Sequence, residues 1–174
     1  MNNKTRVIAA SAIIGAAYAV MTIVLAPISY GAIQFRLSEA LCVMPFFLPG
    51  SAWGLFMGCI IANLMTGNVF DIVFGSLATL FAGLCTAALG RGKGGLGTQL
   101  LACFMPVIFN ALVVGAVITS AYNGMSIADH PGVFALNSLQ VGAGEAAVMY
   151  LVGLPLMRIL PGNKAFREFI AKCA

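Results

Sequence analysis

Seven polar side chains stand out from an otherwise apolar chain: Arg36, Glu39, Asn63, Asp71, Asn110, Gln140 and Glu145. Each lies within or at the edge of a long hydrophobic stretch. An ionisable group in such a place costs on the order of several kcal/mol unless it is paired or put to use. Together the seven offer both signs of charge and several amides, a set that suits a small polar solute. They do not resemble a catalytic set. The only histidine, His130, lies beside Asp129 in a polar stretch, and no further partners cluster around it for a triad or a zinc site. It reads as a solvated loop residue.

Five of the seven also have a plainer reading. Arg36 and Glu39 are spaced i,i+3 and could be an ion pair at a helix start. Asp71 could cap a helix and complement its dipole. Asn63 and Asn110 could be interhelical hydrogen-bond glue. Glu145 is hardest to dismiss. It has no basic neighbour on its own segment and follows Gly142-Ala143-Gly144, small residues that leave room for a ligand or another helix. A carboxylate there can accept two parallel N–H bonds, as from the amidine-like edge of a guanine. Tyr30, Phe35, Trp53 and Phe70 could stack on such a ring, although packing is the simpler role for any one of them.

The elements that must position these groups follow from composition. Of 174 residues, 61% are hydrophobic and 8% charged, and the mean hydropathy is +1.01. Soluble domains are about 25% charged, and a fold of this size in water could not hide so much apolar surface. Lipid is the solvent that fits. Long apolar runs without a period of two favour helices over a barrel. The expectation is a single all-α domain over residues 1–174, multi-pass in the cell membrane.

Six apolar segments can be drawn, at about residues 7–27, 36–48, 51–66, 71–89, 97–120 and 138–160, with residues 122–136 as the longest loop. The second and third are short for a bilayer. Thirteen residues of α-helix reach only about 20 Å against a core of roughly 30 Å, so the pair could instead form one kinked span. The first follows Lys4 and Arg6, but its apolar run is too long for a signal-peptide core.

The basic residues favour six spans with both termini in the cytoplasm. Lys4, Arg6, Arg91, Lys93, Arg158, Lys164, Arg167 and Lys172 then share one side, and only Arg36 falls on the other. This arrangement puts Arg36, Glu39, Asn63 and Asp71 near the outer ends of their segments. Asn110 falls near mid-membrane, and Glu145, seven residues into the sixth segment, is about 10 Å deep. The outer half gathers the polar groups. Residues 27–34 and 66–70 are placed to cover an outward-facing pocket as a lid.

Other features read as bland. Gly92-Lys93-Gly94-Gly95-Leu96-Gly97 matches G-x-G-x-x-G, but a membrane helix precedes it where a dinucleotide site needs a strand. Gly94 after Lys93 also breaks a Walker A pattern, so the chain carries no ATPase machinery of its own. Cys42, Cys59, Cys85, Cys103 and Cys173 lack a CxxC and read as small core residues. No metal, cofactor or nucleic acid is expected. The Ala12–Ala16 pair forms an A-x-x-x-A face suited to close helix contact, either within the bundle or on a partner subunit.

With six helices and that face on the first, the chain resembles the substrate-binding S component of an energy-coupling factor (ECF) transporter. Phe35-Arg36-Leu37-Ser38-Glu39-Ala40-Leu41, Asn63-Leu64-Met65-Thr66-Gly67, Asp71-Ile72-Val73-Phe74-Gly75-Ser76 and Gly144-Glu145 resemble its queuosine-precursor branch in particular. The resemblance implies a solute of the 7-deazaguanine type, a membrane scaffold subunit and two cytoplasmic ATPase subunits. It brings no residue-by-residue ligand set. Other readings are an S component for another vitamin-like solute, and a stand-alone channel or secondary carrier. An intramembrane enzyme is disfavoured.

Overall fold

The computed structural model describes residues 2–30, 34–92 and 94–173. Among them there are helices, turns and no strand. In chain order the helices are α1 (Asn3–Val24), α2 (Leu37–Phe46), α3 (Ser51–Thr66), α4 (Asp71–Gly90), α5 (Leu96–Tyr122), α6 (Pro131–Gly162) and α7 (Lys164–Cys173). One short turn, Ala26–Ser29, follows α1. Helices α1, α4, α5 and α6 are long and apolar enough to cross a membrane, while α2 and α3 are apolar but shorter.

α2 is a 3-10 helix of 10 residues. A 3-10 helix rises about 2.0 Å per residue, so α2 reaches roughly 20 Å, and runs beyond three or four residues are uncommon. It packs against α1, α3, α4, α5 and α6, and most of its residues are buried. With three residues per turn, positions three apart eclipse. Arg36, Glu39 and Cys42 therefore form one row facing the bundle interior. An α-helical reading spreads the same residues around the axis.

α1 and α3 meet backbone to backbone. A Cβ on Gly54 would strike the Ser11 carbonyl, and one on Gly15 would strike the Gly54 carbonyl. Gly58 likewise faces the Gly15 carbonyl. The Gly50, Gly54, Gly58 spacing on α3 thus matches Ser11 and Gly15 on α1. It is a small-xxx-small contact of the membrane kind.

Two boundaries differ from the sequence reading. α6 begins at Pro131, whose fixed φ suits a first helical turn, and not near 138. Glu145 is therefore about 21 Å along α6 by helix rise, nearer its middle than the shallower position expected from the sequence. α7 was not anticipated. The Asn163 side chain caps it, accepting from the amides of Ala165 and Phe166 at 2.9 and 3.3 Å. α7 packs Ile170 and Cys173 near Ala10 and Leu48, and Phe166 meets Phe47 edge-on at 5.4 Å. Arg6 Nη1 donates to the Lys172 carbonyl at 3.3 Å, so the two chain ends meet at one end of the bundle.

Candidate functional site

The opposite end of the bundle holds a cavity of about 390 Å³, within the roughly 300–1,000 Å³ typical of small-molecule sites. Tyr30 follows α1, Thr66 ends α3, Asp71 opens α4 and Tyr122 ends α5. These four line it with Gln34, Met65 and Ile118. Asp71–Gly75 and Ile118–Tyr122 are single π-helical turns, a distortion frequent at functional sites. The wider turn at the head of α4 brings Thr66 and Tyr122 to the Asp71 carboxylate. Asn63 Nδ2 donates to the Asp71 carbonyl at 3.0 Å, tying the end of α3 to the start of α4. Asp71 does not cap α4 with its side chain.

Arg36 stands between this cavity and the bundle centre. Its guanidinium lies over the Tyr30 ring, 5.2 Å from the centroid, and Nε donates to the Ser29 carbonyl at 3.4 Å. Arg36 and Glu39 are not an ion pair, and the one salt bridge among the described residues is Lys164–Glu168, at 4.0 Å on α7. Glu39 takes its donors elsewhere, from the Tyr18 hydroxyl and from Cys42 Sγ at 2.9 Å. Glu145 faces Glu39 and Asn110, so α2, α5 and α6 converge on two carboxylates and an amide.

Six of the seven sequence candidates are buried: Arg36, Glu39, Asn63, Asp71, Asn110 and Glu145. Arg36 Nη2, Asn63 Oδ1, Asp71 Oδ1 and Glu145 Oε1 are buried atoms without a hydrogen-bond partner among the described residues. Leaving such an atom unmet costs about 1–3 kcal/mol, more when charged. Of the four, Asp71 lines the cavity, Arg36 meets its Tyr30 wall, Asn63 bonds to the Asp71 backbone and Glu145 lies in the centre beside Glu39. Gln140 is half-buried and makes none of these contacts.

The aromatic candidates separate as well. Tyr30 lines the cavity and donates its hydroxyl to the Ala62 carbonyl at 2.6 Å. Phe35 is exposed, Trp53 lies along the α1–α3 groove, and Phe70 stacks on Phe74. Ala12 and Ala16 do not take part in the backbone contact with α3. Both are exposed and line an apolar groove of about 600 Å³ with Trp53, Met57 and Ile61. Of the suggested lid, residues 31–33 lie outside the described residues, as does Lys93 of the glycine-rich loop.

The model of the QueT transporter family matches residues 8–161, a span that contains every residue of the cavity and of the centre beneath it. The chain belongs to the QueT transporter family. The queuosine precursor transporter QueT of Lactococcus lactis subsp. cremoris (strain MG1363) is 39% identical over 80 residues, covering 45% of this chain and 47% of that protein. The chain thus spans about half the length of the curated relative it matches. No solved structure matches it.

Within this QueT-family bundle, sequence reasoning gave Thr66 only as part of a lid, and it did not single out Tyr18, which donates to Glu39, or Tyr122, which lines the cavity. Thr66 and Tyr122 sit at helix ends and look like turn residues. Tyr18 lies in an apolar run, where a buried hydroxyl needs a partner; that need was the one available clue.

Proposed function

We propose that this chain is the substrate-binding membrane subunit, the S component, of an ECF-type importer for a queuosine precursor of the 7-deazaguanine type. The observation that carries the reading is the set of unmet buried polar atoms at the cavity wall and in the centre beside it, in a member of a transporter family. A planar solute rich in N–H donors answers Glu145 Oε1, Asn63 Oδ1 and Asp71 Oδ1, and its carbonyl answers Arg36 Nη2. Glu145, Asn63, Glu39, Arg36, Asp71 and Asn110 form the proposed site, with Gln140 at its margin.

In this reading the chain crosses the membrane six times with both termini cytoplasmic. The close contact of Arg6 with α7 supports a shared side, and the basic residues there suit the cytoplasmic face. Ala12 and Ala16 offer the bare strip on which the scaffold subunit docks, and two cytoplasmic ATPases supply the energy. The support for docking is the exposed, shallow, apolar groove they line.

Uptake by cells or vesicles carrying the chain with its energising partners tests this function. A 7-deazaguanine base should compete for uptake, and riboflavin, thiamine and biotin should not. Competition by one of those vitamins instead would replace the solute. Full transport by vesicles holding this chain alone would replace the S component with a stand-alone carrier.

A further inference from the structure

Cys59 lies on α3 one turn before Asn63 and is 0% exposed. It shares a buried apolar cluster with Leu55 and Ala62, where a small core residue would be enough. Its sulfur nevertheless meets three polar groups from three helices. Asn63 Nδ2 on α3 and Thr79 Oγ1 on α4 each lie 3.4 Å from Sγ, and the Tyr18 hydroxyl on α1 lies 3.7 Å away.

The Asn63 contact has a consequence for the site. A side-chain amide carries two N–H donors and one acceptor oxygen. Both donors of Asn63 are spent inside the protein, one on the Asp71 carbonyl at 3.0 Å and one on Cys59 Sγ. Oδ1 has no partner among the described residues, although Asn63 is 0% exposed. Turning the amide over would press Oδ1 against two acceptors, the Asp71 carbonyl and the thiol. Glycine at position 75 leaves room for this arrangement, because a Cβ there would stand 3.1 Å from Asn63 Nδ2 and 3.3 Å from Asp71 Oδ1. The Asp71 carbonyl holds one N–H of the amide, and Cys59 holds the other.

We propose that Cys59 is a positioning residue, whose sulfur anchors the second N–H of Asn63 so that this amide offers the solute an acceptor and not a donor. The proposal rests on the reading of Asn63 as part of the solute site. Cys59 itself touches no solute. It acts through Asn63, and its worth to binding exists only while Asn63 is present.

The test is a double-mutant cycle between positions 59 and 63, read by titration of the purified protein with 7-deazaguanine. Cys59→Ala removes the acceptor, frees the amide to rotate and should weaken binding about fivefold. Cys59→Ser keeps an acceptor at the same place and should restore near-normal affinity. In an Asn63→Ala background, Cys59→Ala should cost nothing further. Normal affinity in Cys59→Ala would overturn the proposal. So would an equal loss in both backgrounds, since Cys59 would then act through packing, and so would a folded Cys59→Ser variant as weak as Cys59→Ala. Cys59→Val fills the space without an acceptor and carries the same cycle if the alanine variant does not fold. Failure of the wild type to bind 7-deazaguanine would overturn the underlying solute reading instead.

Discussion

The two ends of this bundle are built by different rules. At the end where the termini meet, Cys103, Met149 and Met157 fill a buried core with Val43 and Val107, and Cys103 Sγ lies 3.7 Å from Met157 Sδ. α1 and α3 close on each other through glycine. Of the eight buried polar atoms without a partner among the described residues, only Ser11 Oγ belongs to this half. The cavity end has the unmet charges, two of the π turns and the head of the 3-10 helix. One half satisfies itself by packing. The other keeps polar groups that packing does not satisfy, which makes sense if a solute completes them.

The largest expected effect comes from breaking the packed half. In Gly54→Val the new side chain meets the Ser11 carbonyl, a backbone group that cannot step aside. Overpacking of this kind costs about 3 kcal/mol or more. The variant should fail to give a monodisperse peak on size exclusion, and a normal peak would show that α1 and α3 can separate without harm.

Next in size is an effect confined to transport. Ala12→Trp adds bulk on the exposed strip of α1, away from both the α3 contact and the cavity. Transport with the energising partners should be lost while solute binding stays normal. Loss of binding or of the folded protein would mean that the strip packs within the bundle.

A smaller effect concerns the cavity rim. Val69 is exposed between α3 and α4. A thiol reagent should label Val69→Cys more slowly once solute saturates the protein, if Thr66–Phe70 closes over the cavity as a lid. Among the native cysteines only Cys85 is not buried, so a Cys85→Ser background keeps the readout clean. Unchanged labelling would argue against a lid.

The smallest effect belongs to neither half. Lys164→Ala removes the exposed pair with Glu168, worth about 0.5 kcal/mol or less. The melting temperature should barely move. A large drop would mean that α7 depends on this pair more than on its apolar face.

Much of this contrast was legible in the sequence. Apolar runs gave the helices, and buried charge marked Arg36, Glu39, Asp71 and Glu145 before any coordinate. What stayed hidden was set by tertiary packing. Periodicity alone does not reveal that residues 37–46 wind as a 3-10 helix, so the row Arg36, Glu39, Cys42 and the meeting of Glu39 with Glu145 were not foreseen. The polar start of α6 masked a helix that Pro131 begins, and so understated the depth of Glu145. The Gly50, Gly54, Gly58 spacing is visible in the sequence, but a glycine row alone does not say which helix it meets. The amphipathic α7 was equally visible, with Phe166, Phe169 and Ile170 set among charged residues.

The central claim is that the polar half is a solute site and not a structural network. Isothermal titration of Glu145→Gln with a 7-deazaguanine, beside the wild type, tests it most directly. The substitution keeps shape and places an amide where the carboxylate accepts N–H groups. The variant should remain folded and lose about thirtyfold in affinity, close to 2 kcal/mol. Near-normal affinity in a folded variant would contradict the claim for Glu145 and move the site to Glu39 or Asp71.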